Sequence, residues 1–451
     1  MRPPWHRTAR ASDPAGPRSI LPTGRSNIGN VANLGLACHD AHVSDTFGTR
    51  VRRQRLRMGL SQAELGRRVV KGQPWVSKVE NDELAADSVG QINALAAALH
   101  CHPNDLIGRP YPDSPASSGW HKHAIDAVAE LRRYDLAPSY LGVPRRIEAL
   151  QSELVDLHKL RDSASYRQII ALVPTLLAET RALIALADGH ERDEAYVVYG
   201  VVCKASHTAG YGLGHPELIA WSTSGADWAA RHAADPMMPA IAKHLRARDM
   251  WASNSLADSI ALLDQAADSI DQQWTAGDIH ALRTFGSLQL RAAVSASRMH
   301  NQSETRHRIA LATEAAERLR ALPMPHAKDR HELTFSPGNV LVHAVSVAVE
   351  MKDSAEALRL NDAALADGRR DLAVLPPSRI GHHHLDIAQA WMWHGDRHRA
   401  LYELETAEKV APQLIRSHPM AHVLVSRLIE AERAGTHERL RRIANRFGVQ
   451  R

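Results

Sequence analysis

Cysteine is scarce in this chain: 451 residues hold three, Cys38, Cys101 and Cys203. No two of them form a CxxC pair, so neither a disulfide framework nor a zinc site built on paired cysteines has material to form from. That usage fits a reducing, cytoplasmic compartment. Long apolar runs are missing as well. The best, Val340 to Val349, is interrupted by His343 and falls short of the ~20 residues that a membrane span needs. No membrane partner is expected.

The wording of common enzyme sites is absent too. There is no Gly-Lys pair, which excludes a standard phosphate-binding loop, and neither HExxH nor GxSxG occurs. Gly210-Tyr211-Gly212-Leu213-Gly214 is rich in glycine, but His215 stands where a nucleotide loop needs its last glycine. No strand precedes it, so it reads as a turn between helices. His382-His383-His384 are consecutive, and consecutive side chains diverge around a helix instead of sharing a metal. No catalytic residue, cofactor or metal is expected.

What is present is ordinary globular material, with 44% hydrophobic and 23% charged residues. The charge is uneven. Residues 1–110 carry 15 Lys+Arg against 9 Asp+Glu, so the whole positive excess of +5 lies at this end. A basic module attached to a neutral remainder points to a polyanion partner.

Residues 1–43 are rich in Pro, Gly, Ser, Asn and Arg without periodicity and read as a disordered tail. Between residues 44 and 108 five short helices can be marked. The first, from about Asp45 to Met58, carries Phe47, Val51 and Leu56 on one side. Ser61 with Glu64 forms a capping box that opens the second, Gln62 to Val69, which is expected to bury Ala63, Leu65 and Val69. A turn near Gly72 leads to the third, Gln73 to Asn81, in which Pro74 is tolerated because it lies in the first turn. Ser88 to Leu99 and a turn from Pro103 to Ile107 complete the set. Residues 109–120, with Pro110, Pro112 and Pro115, read as a linker.

Two helices of about eight residues around a tight turn match a helix-turn-helix. The segments Leu60-Ser61-Gln62-Ala63-Glu64-Leu65 and Val76-Ser77-Lys78-Val79-Glu80-Asn81 resemble the phage-repressor-like, xenobiotic-response-element (XRE) family of transcriptional regulators. The resemblance implies a five-helix DNA-binding domain whose third helix enters the major groove of operator DNA. Gln73 then stands where the family commonly reads a base, and glutamine can bond adenine through both ends of its amide. Lys78 lies one turn further on the same face, and Ser77 can contact either base or phosphate. Gln62 and the start of the second helix would meet a phosphate. Arg52 and Arg53, among the arginines crowding the first helix, would touch the DNA backbone. Pro74 and Trp75 replace the small polar residues usual there. Trp75 either packs on a thymine methyl or sugar, or covers the edge of the domain. Val76 and Val79 should face the core.

Residues 121–451 are helical throughout, with internal repetition. Ile260 to Ala267, Ile309 to Ala316, Ala357 to Ala364 and Ala400 to Ala407 align, each with two small or aliphatic positions seven residues apart. The last copy, with Gly395 followed by Ala400, Ala407 and Pro412, resembles a tetratricopeptide repeat. The fold expected is thus all-α: a five-helix phage-repressor-like helix-turn-helix domain followed by a tetratricopeptide-like α-solenoid. The function expected is a sequence-specific DNA-binding transcriptional regulator. Its repeat domain would serve homodimerisation, sensing of a peptide or small-molecule effector, or partner binding. The rival is an interaction scaffold whose DNA module is non-specific or vestigial.

Overall fold

The computed structural model describes residues 46–101, 103–107, 120–138, 140–323, 329–366, 370–431 and 438–447. Among them are 23 helices and no strand. The expected tail at 1–43 lies outside the described residues, and so does the expected linker at 109–120 except for Trp120, which is not linker but the first residue of a helix, 120–131.

The first five helices are α1 (Phe47–Arg57), α2 (Gln62–Arg68), α3 (Gln73–Glu80), α4 (Val89–Ala98) and α5 (Pro103–Ile107). Their starts follow from capping. Thr46 and Ser88 accept N–H groups of α1 and α4, and Ser61 with Glu64 makes the reciprocal capping box of α2. Val51, Leu65, Val76, Val79, Leu95 and Leu106 are fully buried between them.

Two expected core positions are instead outside. Leu56 is 58% exposed because α1 buries Gly48, Val51 and Arg55, and Ala63 is exposed because α2 buries Leu65 and Gly66. The α1 positions follow steps of three and four residues, and Leu56 lies a further ~100° around the helix. The turn between α2 and α3 also differs. Its left-handed residue is Val70, with φ 54°, whereas Gly72 is extended at φ −79° and precedes α3. A glycine is required at Gly66, where a Cβ would stand 2.8 Å from the Lys71 carbonyl oxygen.

The rest is an array of helices, most of them joined by short turns that make sequential helices antiparallel neighbours. It begins with α6 (Trp120–Leu131), α7 (Ile147–Asp162), α8 (Tyr166–Leu186), α9 (Gly189–Leu213), α10 (Pro216–His232), α11 (Met238–Asp249) and α12 (Leu256–Asp268). The short α13 (Asp271–Thr275) precedes α14 (Ile279–Arg298), α15 (Gln302–Arg320), α16 (Pro337–Glu350), α17 (Ser354–Ala366) and α18 (Arg370–Ala373). The end comprises α19 (Pro377–His394), α20 (Arg397–Val410), α21 (Pro412–Ser417), α22 (Pro419–Ala431) and α23 (Glu438–Phe447). The pairs α8–α9, α9–α10, α14–α15 and α19–α20 share the largest contacts.

The repeat has a conformational marker. Asn254, His300, Lys352 and Gly395 each turn the chain with φ between 56° and 91°. Five and twelve residues later come Ser259/Ala266, Thr305/Ala312, Ala357/Ala364 and Ala400/Ala407. All but half-buried Ala364 are at most 1% exposed. The last two pairs are those aligned from sequence. The first two aligned copies are out of register, by one residue in α12 and by four in α15. In alanine-rich helices several registers satisfy composition, whereas only one satisfies the turn.

Helix α8 is a second correction. Its 21 residues are long and apolar enough to cross a membrane, where the sequence reading finds no such stretch. Most of it is core: Ile169, Ile170, Val173 and Leu177 are fully buried. Its Glu179 meets Arg145 at 2.8 Å and its Arg181 meets Glu130 at 2.8 Å. The Gly210–Gly214 segment is the end of α9, closed by Gly214 in the left-handed region at φ 69°.

The five-helix domain is docked on the array. Its apolar core is continuous with that of α19–α23. The Gly90 N–H donates to Glu350 at 2.9 Å, and Asp87 meets Lys352 at 2.7 Å and Arg427 at 3.4 Å.

Candidate nucleic-acid interface

The face formed by the starts of α2 and α3 is held from behind by a chain of polar groups. Arg55 on α1 donates twice to the Glu80 carboxylate, at 2.5 and 2.9 Å, and once to the Leu60 carbonyl at 2.6 Å. Both side chains are buried, and the Glu80 hydrogen bonds hold the Arg55 guanidinium above its usual pKa. Glu80 also accepts from the Gln62 amide at 2.9 Å, and the Gln62 carbonyl accepts from Gln73 at 2.9 Å. A buried ion pair thus fixes two glutamines at the junction of the two helices. Nothing in the sequence spacing announces it, since Arg55 is one of many arginines and Glu80 ends a different helix.

The expected site residues divide by exposure. Gln73, Pro74 and Lys78 are exposed along α3, and Ser77 is half-buried between them. Trp75 is half-buried and packs against the domain core. Val76 and Val79 point inward and are fully buried. Gln62 is half-buried with both ends of its amide engaged, so its side chain faces Gln73 and Glu80 as well as the surface. Arg52 and Arg53 are exposed on α1. Arg50 is not on that surface; it binds the Leu106 and Ile107 carbonyls at 2.8 and 3.1 Å and ties α1 to α5.

At the start of α2, Ser61 donates its N–H and O–H to Glu64, both at 2.7 Å, which holds that carboxyl below its usual pKa. At the start of α3, Gly72 offers no side-chain cap. In the first turn of α3, Pro74 has no N–H, and those of Trp75 and Val76 donate to the Gly72 carbonyl at 3.1 and 3.4 Å.

Asp82 follows α3 in the left-handed region, at φ 58°. It caps α1 by accepting the Gly48 N–H at 2.9 Å and the Thr46 hydroxyl. The three histidines of α19 diverge as expected: His383 meets Asn361 at 3.1 Å and His384 meets Glu403 at 2.6 Å.

Residues 46–106 match the helix-turn-helix domain family. The match spans α1 to α5 almost to the residue and leaves the array outside it. No curated protein matches the chain. Among solved structures, the crystal structure of Bacillus thuringiensis PlcR in complex with the peptide PapR7 and DNA is similar at 12% identity. It covers 61% of this chain and 96% of that one, with a TM-score of 0.27. The helix-turn-helix assignment here rests on the family match and on the five capped helices themselves.

Proposed function

We propose that this chain is a cytoplasmic, sequence-specific DNA-binding transcriptional regulator of the phage-repressor-like, XRE type. The observation that carries the reading is the exposed Gln73, fixed through Gln62 and Glu80 at the first turn of an α3 whose Lys78 is also exposed. A helix offered in this way can enter the major groove with its amide already oriented. Arg52 and Arg53 supply sequence-independent attraction to phosphates.

One such module covers about a half-site and gives limited specificity. We therefore propose a homodimer held by the array, reading an inverted repeat. The array, which has no catalytic role in this reading, would also receive an effector. Selection of random duplexes by the full-length protein tests the proposal. An enriched inverted repeat, lost in Gln73→Ala, is the expected result. Salt-sensitive binding without sequence enrichment would instead support a scaffold with a non-specific DNA module.

A further inference from the structure

Glu408 on α20 is a buried carboxylate with two arginines on it. Arg416 on α21 donates from Nε to its Oε1 at 2.8 Å. Arg446 on α23 donates from Nε to the same oxygen at 2.7 Å and from Nη2 to Oε2 at 2.6 Å. Two Nε atoms on one oxygen are close neighbours, so guanidinium groups from two separate helices converge there. Against burial, the bonds from Arg446 and Arg416 hold the Glu408 carboxyl below its usual pKa, and it stays charged.

These three groups line a groove of about 440 Å³, together with Glu405, Lys409 and Pro412. That volume suits a small ligand. Only 6% of the Glu408 side chain is exposed, against 47% of Arg416 and 40% of Arg446. The carboxylate is therefore covered, while the outer edges of both guanidinium groups are open to the groove. Among the described residues, Arg416 leaves both Nη groups without an acceptor and Arg446 leaves Nη1.

Positive charge is left over. Glu405 is matched by Arg439 on α23, which donates to it from Nε at 2.6 Å. Glu408 balances one of its two arginines. One arginine satisfies the charge of a buried carboxylate; the second sets a like charge beside the first. Lys409 is exposed and makes no side-chain hydrogen bond or ion pair among the described residues. The groove thus carries an excess of two positive charges, with both arginines gathered at one carboxylate and Lys409 next to it in sequence. Such a focus fits a compact dianion better than an extended dicarboxylate, whose two charges stand apart. Guanidinium forks suit a phosphoryl group because they offer it two N–H bonds at a time.

We propose that the groove between α20, α21 and α23 binds the phosphoryl group of a small molecule, held by Arg416, Arg446 and Lys409. These helices share the apolar core that continues into the five-helix domain, so an occupant lies on the part of the array that carries that domain. The site deepens the reading of the array as a sensor. Its regulatory meaning rests on that reading, whereas the binding does not.

The test is calorimetry on the full-length protein at fixed ionic strength, with inorganic phosphate, glycerol 3-phosphate and succinate. Saturable binding of phosphate or glycerol 3-phosphate is expected, with succinate at least tenfold weaker. The tighter phosphoryl probe identifies the source as free phosphate or a phosphomonoester. Arg416→Gln and Arg446→Gln should each weaken binding at least tenfold. Arg446→Lys keeps the charge but loses the fork, and should bind at least threefold more weakly. Lys409→Gln removes a side chain that braces nothing, so it should melt as the parent does and still bind at least threefold more weakly. Arg441→Gln, the same charge change on the exposed side of α23, should leave binding unchanged.

Absence of saturable phosphoryl binding overturns the proposal. So does binding that Lys409→Gln and Arg416→Gln leave unchanged, binding that Arg441→Gln weakens equally, or succinate binding as tight as that of phosphate. The same variants are titrated with a duplex of scrambled sequence. If they lose duplex affinity while no phosphoryl probe binds, the groove is a contact for the DNA backbone and the proposal falls. Operator binding by the parent is measured separately, and its absence refutes the regulator reading while leaving the phosphoryl site standing.

Discussion

Arg55 and Glu80 join the first and third helices through two hydrogen bonds, and the same carboxylate positions Gln62 beneath Gln73. The pair therefore belongs both to the domain's stability and to the face proposed to read DNA. Removing one member leaves the other charge buried and alone. Arg55→Met should lower the stability of the helix-turn-helix domain by about 3–5 kcal/mol. Hydrogen exchange across α1 to α3 in the full chain would register it as lost protection. Unchanged protection would refute a structural role for the pair.

The reading of bases can be separated from the attraction to phosphate. Gln73→Ala should cost about 1–3 kcal/mol at the selected operator and leave non-specific affinity unchanged. Lys78→Glu should weaken both and reduce the dependence on salt. Titrations on specific and scrambled duplexes at two salt concentrations distinguish these outcomes.

Val70 is a β-branched residue in the left-handed region and is 89% exposed. Its side chain contributes strain and little burial. Val70→Gly should raise stability by up to about 1 kcal/mol, with the lost strain partly offset by the freer unfolded chain. A melting temperature that falls would mean that the Val70 side chain contributes packing that offsets its strain.

Acid should loosen the array before it reaches the ordinary carboxylate range. Burial first, then Arg379, holds His343 and His382 at about 3, while an unfolded histidine titrates near 6.5. Above about 6.5 neither state binds the proton and these groups leave stability unchanged. As pH falls from there towards 3, the unfolded chain binds protons that the folded one does not. Stability should drop by up to about 1.4 kcal/mol per pH unit for each histidine. Asp386, pushed up to about 7 by burial, acts in the opposite sense over part of this window. His207 and His244 shift as His343 does. Denaturant midpoints between pH 7 and 4 should fall in the parent and flatten in the His343→Gln, His382→Gln double variant.

The helix-turn-helix domain was readable because its determinants are local. Ser61, Glu64, Ser88 and Pro103 mark helix starts by their own chemistry, and Val76 and Val79 sit at helical spacing. Leu56 was misplaced because a hydrophobic residue was preferred to Arg55, whose partner lies on another helix. The register of the array was legible in the last two copies, and only before the last did a glycine, Gly395, announce the turn. Asn254, His300 and Lys352 adopt the same conformation without advertising it.

The contact of Gly90 with Glu350, flanked by Asp87 with Lys352 and Arg427, has a mechanical consequence. It fastens the start of α4 to the end of α16 and to α22. The reading helix then moves as part of the last hairpins, like a tool on a rigid arm. In a dimer held by the arrays, the distance between the two α3 helices would be set by the arm that carries each domain. Flexing the array by a few degrees would shift that distance, so the array would alter which DNA such a dimer fits without any change at Gln73.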